Sequence, residues 1–219
     1  MTRQTVVLAT RNAGKIRELA EPLAAFGLNV VGLEAFPDMP EVAETGTTFE
    51  ENALLKAAET ARRTGCVAVA DDSGLEVDAL GGAPGVYSAR YGNDVPALEG
   101  ESRDQRNTRK LLAALQGVPE ARRGCRFVCC MAVCTPAGKH ITMRGTWEGR
   151  ALEAPCGSNG FGYDPVFWDM ADQCSAAELT REQKNARSHR GAALRQLLAA
   201  WPDFWEKDTV ACGCGGAGS

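Results

Sequence analysis

Residues 67–78 read VAVADDSGLEVD, a run of small apolar residues that passes without a break into two adjacent carboxylates, Asp71 and Asp72. Such a run predicts a short buried strand over 67–70 that ends at polar Ser73 and Gly74. Carboxylates at the end of a strand lie at a sheet edge, where they can ligate a hard cation or accept a proton. The same four residues also suit a plain turn, because Asp and Ser bond their own backbone and Gly supplies positive φ. Four further polar clusters bear on the choice.

At the amino end, TVVLAT over 5–10 predicts a buried strand running directly into RNAGKIREL. Ile16, Leu19, Leu23 and Phe26 then recur at helical spacing until Gly27, which predicts a helix opening at Lys15 and kinked at Pro22. A strand, a tight turn with Asn12 and Gly14, and a helix start make a phosphate cradle, because free backbone N–H groups and the helix dipole favour an anion. Lys15 adds a point charge. The spacing is not the GxxxxGK[ST] of a P-loop, and an ordinary β–α turn with a solvated lysine fits it as well.

The second cluster is EVAETGTTFEENALLKAAETARRTG, in which Thr48 and Glu51 form a capping box for a helix bearing Leu54, Leu55, Ala58 and Ala61. Glu44 lies in the loop before it, and is either a surface charge or the second acid that Asp72 needs to hold Mg²⁺ beside phosphate oxygens. Lys56, in mid-helix, faces either solvent or phosphate.

Near the carboxyl end, CGSNGFGYDP sets Phe161, Tyr163 and Asp164 between glycines. Glycine there allows close backbone approach to a ligand, an aromatic face can stack on a base, and a carboxylate can accept from ring N–H groups. The last cluster, AELTREQKNARSHRGAALRQLLAAW, predicts caps at Thr180 with Gln183 and at Ser188, and a buried stripe of Leu194, Leu197, Leu198 and Trp201. Lys184, His189 and Arg190 gather where a helix starts. Cations are disfavoured at that end of a helix, so they read as facing an anionic or acceptor-rich partner, or as a solvated basic patch.

The signatures LATRNAGKIREL, ETGTTFEENALLKA, ADDSGLEVDALGGAPGVYSARY, GFGYDPVF and AAELTREQKNARSHRGAAL, in this order, resemble the inosine triphosphate pyrophosphatase, or Ham1-like, family over roughly residues 5–200. The resemblance implies Mg²⁺-dependent hydrolysis of deaminated purine nucleoside triphosphates (ITP, dITP, XTP, dXTP) to the monophosphate and pyrophosphate. It implies that Thr10, Arg11, Asn12, Ala13, Gly14 and Lys15 cradle the triphosphate, and that Glu44 and Asp72 hold Mg²⁺. Asp72 is also implied as the proton acceptor that activates water, with Asp71 supporting it. Ser73, Phe161, Gly162, Tyr163, Asp164, Lys184, His189 and Arg190 line the nucleotide pocket, with Phe161 stacking on the base and Lys56 a further phosphate contact. The implied fold is α/β, an elongated mixed sheet flanked by helices, in two lobes with the nucleotide between them. The implied assembly is a homodimer.

With 44% hydrophobic residues, 219 residues fit one domain or a tight pair of lobes; the resemblance implies one two-lobed domain over 1–204, followed by a tail over 205–219 that reads as flexible. Net charge −4, from 24 basic and 28 acidic residues, argues against a nucleic-acid-binding surface. No run approaches 18 apolar residues and the first ten lack a signal peptide's apolar segment, which predicts no membrane partner and a cytoplasmic location. Nine cysteines without such a segment read as reduced thiols, and Cys129, Cys130 and Cys134 in RFVCCMAVC as small hydrophobes of a buried strand. Strand pairing over 125–152 about Pro136–Gly138 completes a mixed α/β plan. Two other functions fit the same residues: a nucleotide sensor without turnover, and a phosphohydrolase without purine selectivity.

Overall fold

The computed structural model describes residues 4–11 and 13–209, so Asn12 of the phosphate cradle and Cys212 and Cys214 of the tail lie outside the described residues. The amino-terminal apolar run forms β1 (Thr5–Leu8), followed by α1 (Ala13–Ala24) and β2 (Asn29–Gly32). Then come α2 (Phe49–Thr64), β3 (Val67–Val77) and α3 (Arg103–Ala114). The hairpin β4 (Gly124–Cys134) and β5 (His140–Ala151) leads to β6 (Phe167–Asp169) and β7 (Cys174–Ser175), and α4 (Arg181–Arg187) and α5 (His189–Thr209) close the chain. All seven strands form one sheet in the order β2-β1-β3-β4-β5-β6-β7. It is parallel across β2, β1 and β3 and antiparallel from β3 onward, so the expected mixed sheet flanked by helices is the fold.

The strand expected to stop at Asp71 instead runs eleven residues, through the whole of Asp71-Asp72-Ser73-Gly74. The reason is its partner. β4 pairs with β3 from Ala68↔Cys134 to Val77↔Cys125, with Asp71 opposite Met131 and Asp72 opposite Cys130, so the ladder satisfies the backbone that a turn would otherwise have to. On its other edge β3 is paired to β1 only as far as Val69. The carboxylates begin where that pairing ends.

β4 is covered on both faces, which is why it reads as a continuous apolar run rather than an alternating one. Cys129, Met131 and Val133 meet α1 and α5 through Leu19, Leu23, Leu197 and Trp201, while Val128, Cys130, Ala132 and Cys134 meet Phe49, Ala53, Ala57 and Ala61 of α2. A third cluster around Leu75, Phe127, Trp147 and Phe167 packs the far end of the sheet against Leu111 and Leu115 at α3. The β4 cysteines therefore act as small hydrophobes; all seven cysteines within the described residues are free, and burial pushes the Cys125 thiol up to about 12 and the Cys130 thiol up to about 11.

Capping follows the sequence more closely than facing does. Thr48 with Glu51 and Thr180 with Gln183 both form complete capping boxes, and Ser188 ends α4 while its hydroxyl accepts from the Gly191 N–H at 3.1 Å. α1 opens at Ala13 rather than Lys15 and runs only two residues beyond Pro22. Of the residues expected along α2, Ala61 is in the core and Leu54 and Ala58 pack against it, but Leu55 is 41% exposed and Ala53 and Ala57 complete the buried stripe instead. Small alanines let this helix lie close to the sheet. In α5 the expected face is correct, with Leu197 and Trp201 buried and Leu194 and Leu198 packed beside them. At residue 145 of β5, a Cβ would collide with the His189 carbonyl, so Gly145 is what lets the start of α5 press onto the sheet. Leu197→Ala is expected to lower unfolding free energy by about 2–5 kcal/mol, while Leu55→Ala changes it by no more than about 0.5 kcal/mol, as urea titration of the two variants will measure.

Candidate active site

Side chains alternate across a strand, and β3 shows what that does to adjacent acids. Val69 faces the α1/α5 layer and Ala70 the α2 layer, so Asp71 turns toward α1 and α5 and Asp72 toward α2. Asp71 accepts from Lys15 Nζ at 2.8 and 2.9 Å and lies 3.5 Å from Arg190 Nε. Asp72 accepts from Lys56 Nζ at 3.2 Å, and the same ammonium donates to Glu44 at 2.8 Å. Each carboxylate thus has its own set of cations, contributed by a different helix.

Beyond the end of β1 the two sets border a single cavity of about 730 Å³. It is lined by Thr10, Arg11, Lys15, Glu44, Lys56, Asp71, Asp72 and Ser73 and by Phe161, Gly162, Tyr163, Asp164, Lys184, His189 and Arg190, with Arg190 joining the two groups through Asp71 and Ser73. The described residues expected at a site therefore come together, although they lie up to 180 positions apart, from Thr10 to Arg190. Ala13 and Gly14 form the first turn of α1. Arg11 Nη2 donates to the Met39 carbonyl at 2.9 Å, which ties the cradle to the loop before α2.

Electrostatics divides the acids into two kinds. Burial opposes the charge on Asp71, but Lys15 and Arg190 outweigh it and hold this carboxyl well below the ordinary 3.8. For Asp72, burial and the neighbouring Glu44 charge outweigh Lys56, and the pKa rises above 3.8. Glu44 is partly buried, yet Lys56 and Arg90 lower it below 4.5. Lys56 is raised in spite of its burial by Asp72, Glu44 and Asp71, so it stays a cation. Asp72 Oδ2 is buried and makes no hydrogen bond of normal geometry among the described residues, although the neighbouring Asn52 amide helps to hold the carboxyl down. A buried carboxylate oxygen without a well-placed donor is costly unless something positive or protic meets it.

Phe161 is 57% exposed with its ring under Lys184 Nζ at 4.7 Å and Arg190 Cζ at 5.8 Å. Asp164 is buried, pairs with Lys184 and accepts from the Phe161 N–H at 2.8 Å. Its carboxylate is therefore committed to holding the loop. Tyr163 is buried as well and donates its hydroxyl to the Ser88 carbonyl at 2.9 Å. Arg190 Nη2 donates to Ser73 Oγ at 3.4 Å, and His189 stacks on Phe127 with ring centres 4.9 Å apart. Burial, then Arg190 and Lys184, push His189 well below 6.5, so its ring is neutral near pH 7.

Several participants escaped the sequence reading. Arg90 donates to Glu44 at 3.1 Å from a 3₁₀ turn over Gly85–Arg90, inside the signature ADDSGLEVDALGGAPGVYSARY but assigned no role there. Buried Asn52, accepting from the Gly46 N–H at 2.8 Å, did carry a signal, because it is a polar residue on the apolar stripe of α2. Asp104 on α3 was invisible, since its partner is a backbone amide 58 residues away.

Fold and cleft define an α/β protein whose cavity is bordered by cations from α1, α2, α4 and α5, paired acids and an exposed aromatic. Residues 6–200 match the model of the Ham1 family, and the chain belongs to that family. It is 62% identical over 205 residues to a dITP/XTP pyrophosphatase of Nitratidesulfovibrio vulgaris, covering 94% of this chain and 99% of that one. A dITP/XTP pyrophosphatase of Vibrio vulnificus is 52% identical over 200 residues, covering 89% and 94%. Among solved structures, the HAM1 protein from Coxiella burnetii superposes with a TM-score of 0.83 at 39% identity, covering 91% of this chain and 99% of that one.

Because the folded pKa of Asp71 is depressed, its stabilising contribution is complete above the unfolded value near 3.8 and is lost as pH falls below it. Asp71→Asn would leave Lys15 and Arg190 facing a neutral group in a buried setting, at a cost of about 3–5 kcal/mol at pH 7. Urea unfolding across a pH series is expected to show this difference at full size at pH 7 and shrinking as pH falls below 3.8, where the carboxyl of the unfolded chain takes up its proton while the native one is still charged.

Proposed function

We propose that the protein hydrolyses deaminated purine nucleoside triphosphates, dITP/ITP and dXTP/XTP, to the nucleoside monophosphate and pyrophosphate, so that they are not incorporated into DNA or RNA. The carrying observation is the convergence of Glu44, Lys56 and Asp72 beside Lys15, in the same cavity as Phe161 and His189. Kinship with the dITP/XTP pyrophosphatases over almost the whole chain supports the same reading.

The cradle of residues 10–15 and Lys56 take the triphosphate, and Lys15 and Arg190, fixed on Asp71, set positive charge where phosphate oxygens gather. Phosphoryl transfer asks for little covalent work, so positioning and charge neutralisation carry most of the catalysis. Asp72 accepts the proton of the attacking water as oxygen bonds to phosphorus and the bridging bond between α and β phosphates breaks, releasing pyrophosphate.

The residues present fit a hard dication. Asp72 Oδ2 makes no hydrogen bond of normal geometry among the described residues, and Glu44 and Asp72 already converge on one cation, the Lys56 ammonium. Two carboxylates would hold Mg²⁺ here together with phosphate oxygens of the substrate. Mg²⁺ so held would supply charge to those oxygens.

Phe161 stacks on the base, and His189 and Arg190 offer donors to the O6 carbonyl of hypoxanthine or xanthine. The amino group of adenine would leave these donors unpaired, at about 1–3 kcal/mol per group. Among the described residues no helix is long and apolar enough to cross a membrane, and we place the enzyme in the cytoplasm as a homodimer without nucleic-acid partners. The chain serves as one two-lobed domain whose carboxyl boundary lies beyond the expected residue 204, because α5 continues to Thr209 and Trp205 packs against the core.

Pyrophosphate release from ITP is expected to depend on Mg²⁺, to stop with a chelator, and to exceed release from ATP by more than tenfold. Orthophosphate as product, or equal rates, would sink the assignment in favour of a general phosphohydrolase, and tight binding without turnover would favour a sensor. Asp72→Asn is expected to lower kcat at least about a hundredfold while thermal unfolding and ITP binding persist; a variant keeping most of its rate would remove Asp72 as the base.

A further inference from the structure

Phe161 is a large apolar side chain left 57% exposed at the cavity, on a loop between two glycines that both take positive φ, Gly160 at +78° and Gly162 at +62°. A segment of that kind ordinarily moves, and a mobile ring would lose part of any stacking gain to the entropy of being ordered. Here the backbone is held on both sides of the ring. Asp164 Oδ2 accepts from the Phe161 N–H at 2.8 Å. The next residue is held from another element: the Gly162 N–H donates to Asp104 Oδ2 at 2.8 Å and the Gly162 carbonyl accepts from Thr108 Oγ1 at 3.4 Å. Asp104 and Thr108 are four residues apart in α3, on one helical face, and together they satisfy both polar groups of a single glycine.

We propose that Asp104 is a positioning residue for purine recognition, fixing the Phe161 loop against α3 so that the exposed ring stands ready for the base. The α3 face has a reason to be rigid. Its next polar residue, Asn107, is buried, accepts from the Gly92 N–H at 2.6 Å and donates to the Ala89 carbonyl at 3.2 Å, which anchors the helix to the segment after β3. Leu111, one turn further on, is in the core. α3 is thus bolted to the sheet at one end and holds the aromatic loop at the other, and Asp104 never has to touch the nucleotide. The inference rests on Phe161 being the stacking residue.

The test is a double-mutant cycle on ITP hydrolysis with Asp104→Ala, Phe161→Ala and the double variant, supported by Asp104→Asn. Phe161→Ala is expected to lower kcat/KM about tenfold, chiefly through KM. Asp104→Ala is expected to raise KM severalfold with little change in kcat, and to add nothing once Phe161 is gone. Asp104→Asn keeps an acceptor oxygen for the Gly162 amide and is expected to recover most of the loss. If the Asp104→Ala effect is absent, or keeps its full size in the Phe161→Ala background, the proposal is overturned while the stacking reading stands. If Phe161→Ala itself leaves kcat/KM unchanged, the stacking reading fails and this inference falls with it. Should Asp104→Ala not fold, Thr108→Val removes the other half of the hold, and its cycle with Phe161→Ala decides in the same way.

Discussion

The site depends on one constraint, the two-residue period of an extended strand. Because β3 continues through Asp71 and Asp72 rather than turning there, the two acids leave opposite faces of the sheet and meet different helices. Had the chain turned at Asp-Asp-Ser-Gly, both carboxylates could have faced one another and repelled. As built, Asp71 is neutralised by Lys15 and Arg190, while Asp72 keeps one oxygen without a hydrogen bond of normal geometry among the described residues. One acid holds cations in place, and the other is left available for chemistry.

The topology makes that division useful. β1 stops pairing at Val69, so both faces of β3 open onto one cavity just beyond the last parallel pair. Cavities at the carboxyl ends of parallel strands are where open α/β sheets accept ligands, and here the helix after β1 brings Lys15 to that point. The antiparallel half of the sheet does different work. β4 supplies the ladder that keeps β3 straight, and β5, through Gly145, lets α5 approach closely enough to bury His189 and Arg190 beside Asp71.

Burial then sets the charge states. His189 is neutral because it is stacked on Phe127 and flanked by cations, and Asp72 is raised because it is desolvated beside Glu44. Neither shift needs an exotic group. Both follow from closing the two helical layers over polar side chains that β3 and α5 carry into the interior. The part of the cavity around Phe161 is built differently, by backbone hydrogen bonds from Asp104, Thr108 and Asp164 to a loop whose ring stays exposed.

Local signals were legible in the chain itself. The capping boxes at Thr48 and Thr180, the apolar stripe of α5, the buried β4 and the antiparallel hairpin all follow from periodicities and side-chain chemistry that act within a few residues. Most of the candidate site was legible too, because its polar clusters stand out against apolar runs. The length of β3 was not, since it depends on hydrogen bonds to a strand some sixty residues away, from Ala68 to Cys134 at the widest. Nor was the exposed position of Leu55, because only packing against the sheet decides which helical face lies inward. Arg90 and Asp104 joined the site for the same reason: their partners are distant in sequence, and a residue's type does not say which backbone amide or carboxylate the folded chain will set beside it.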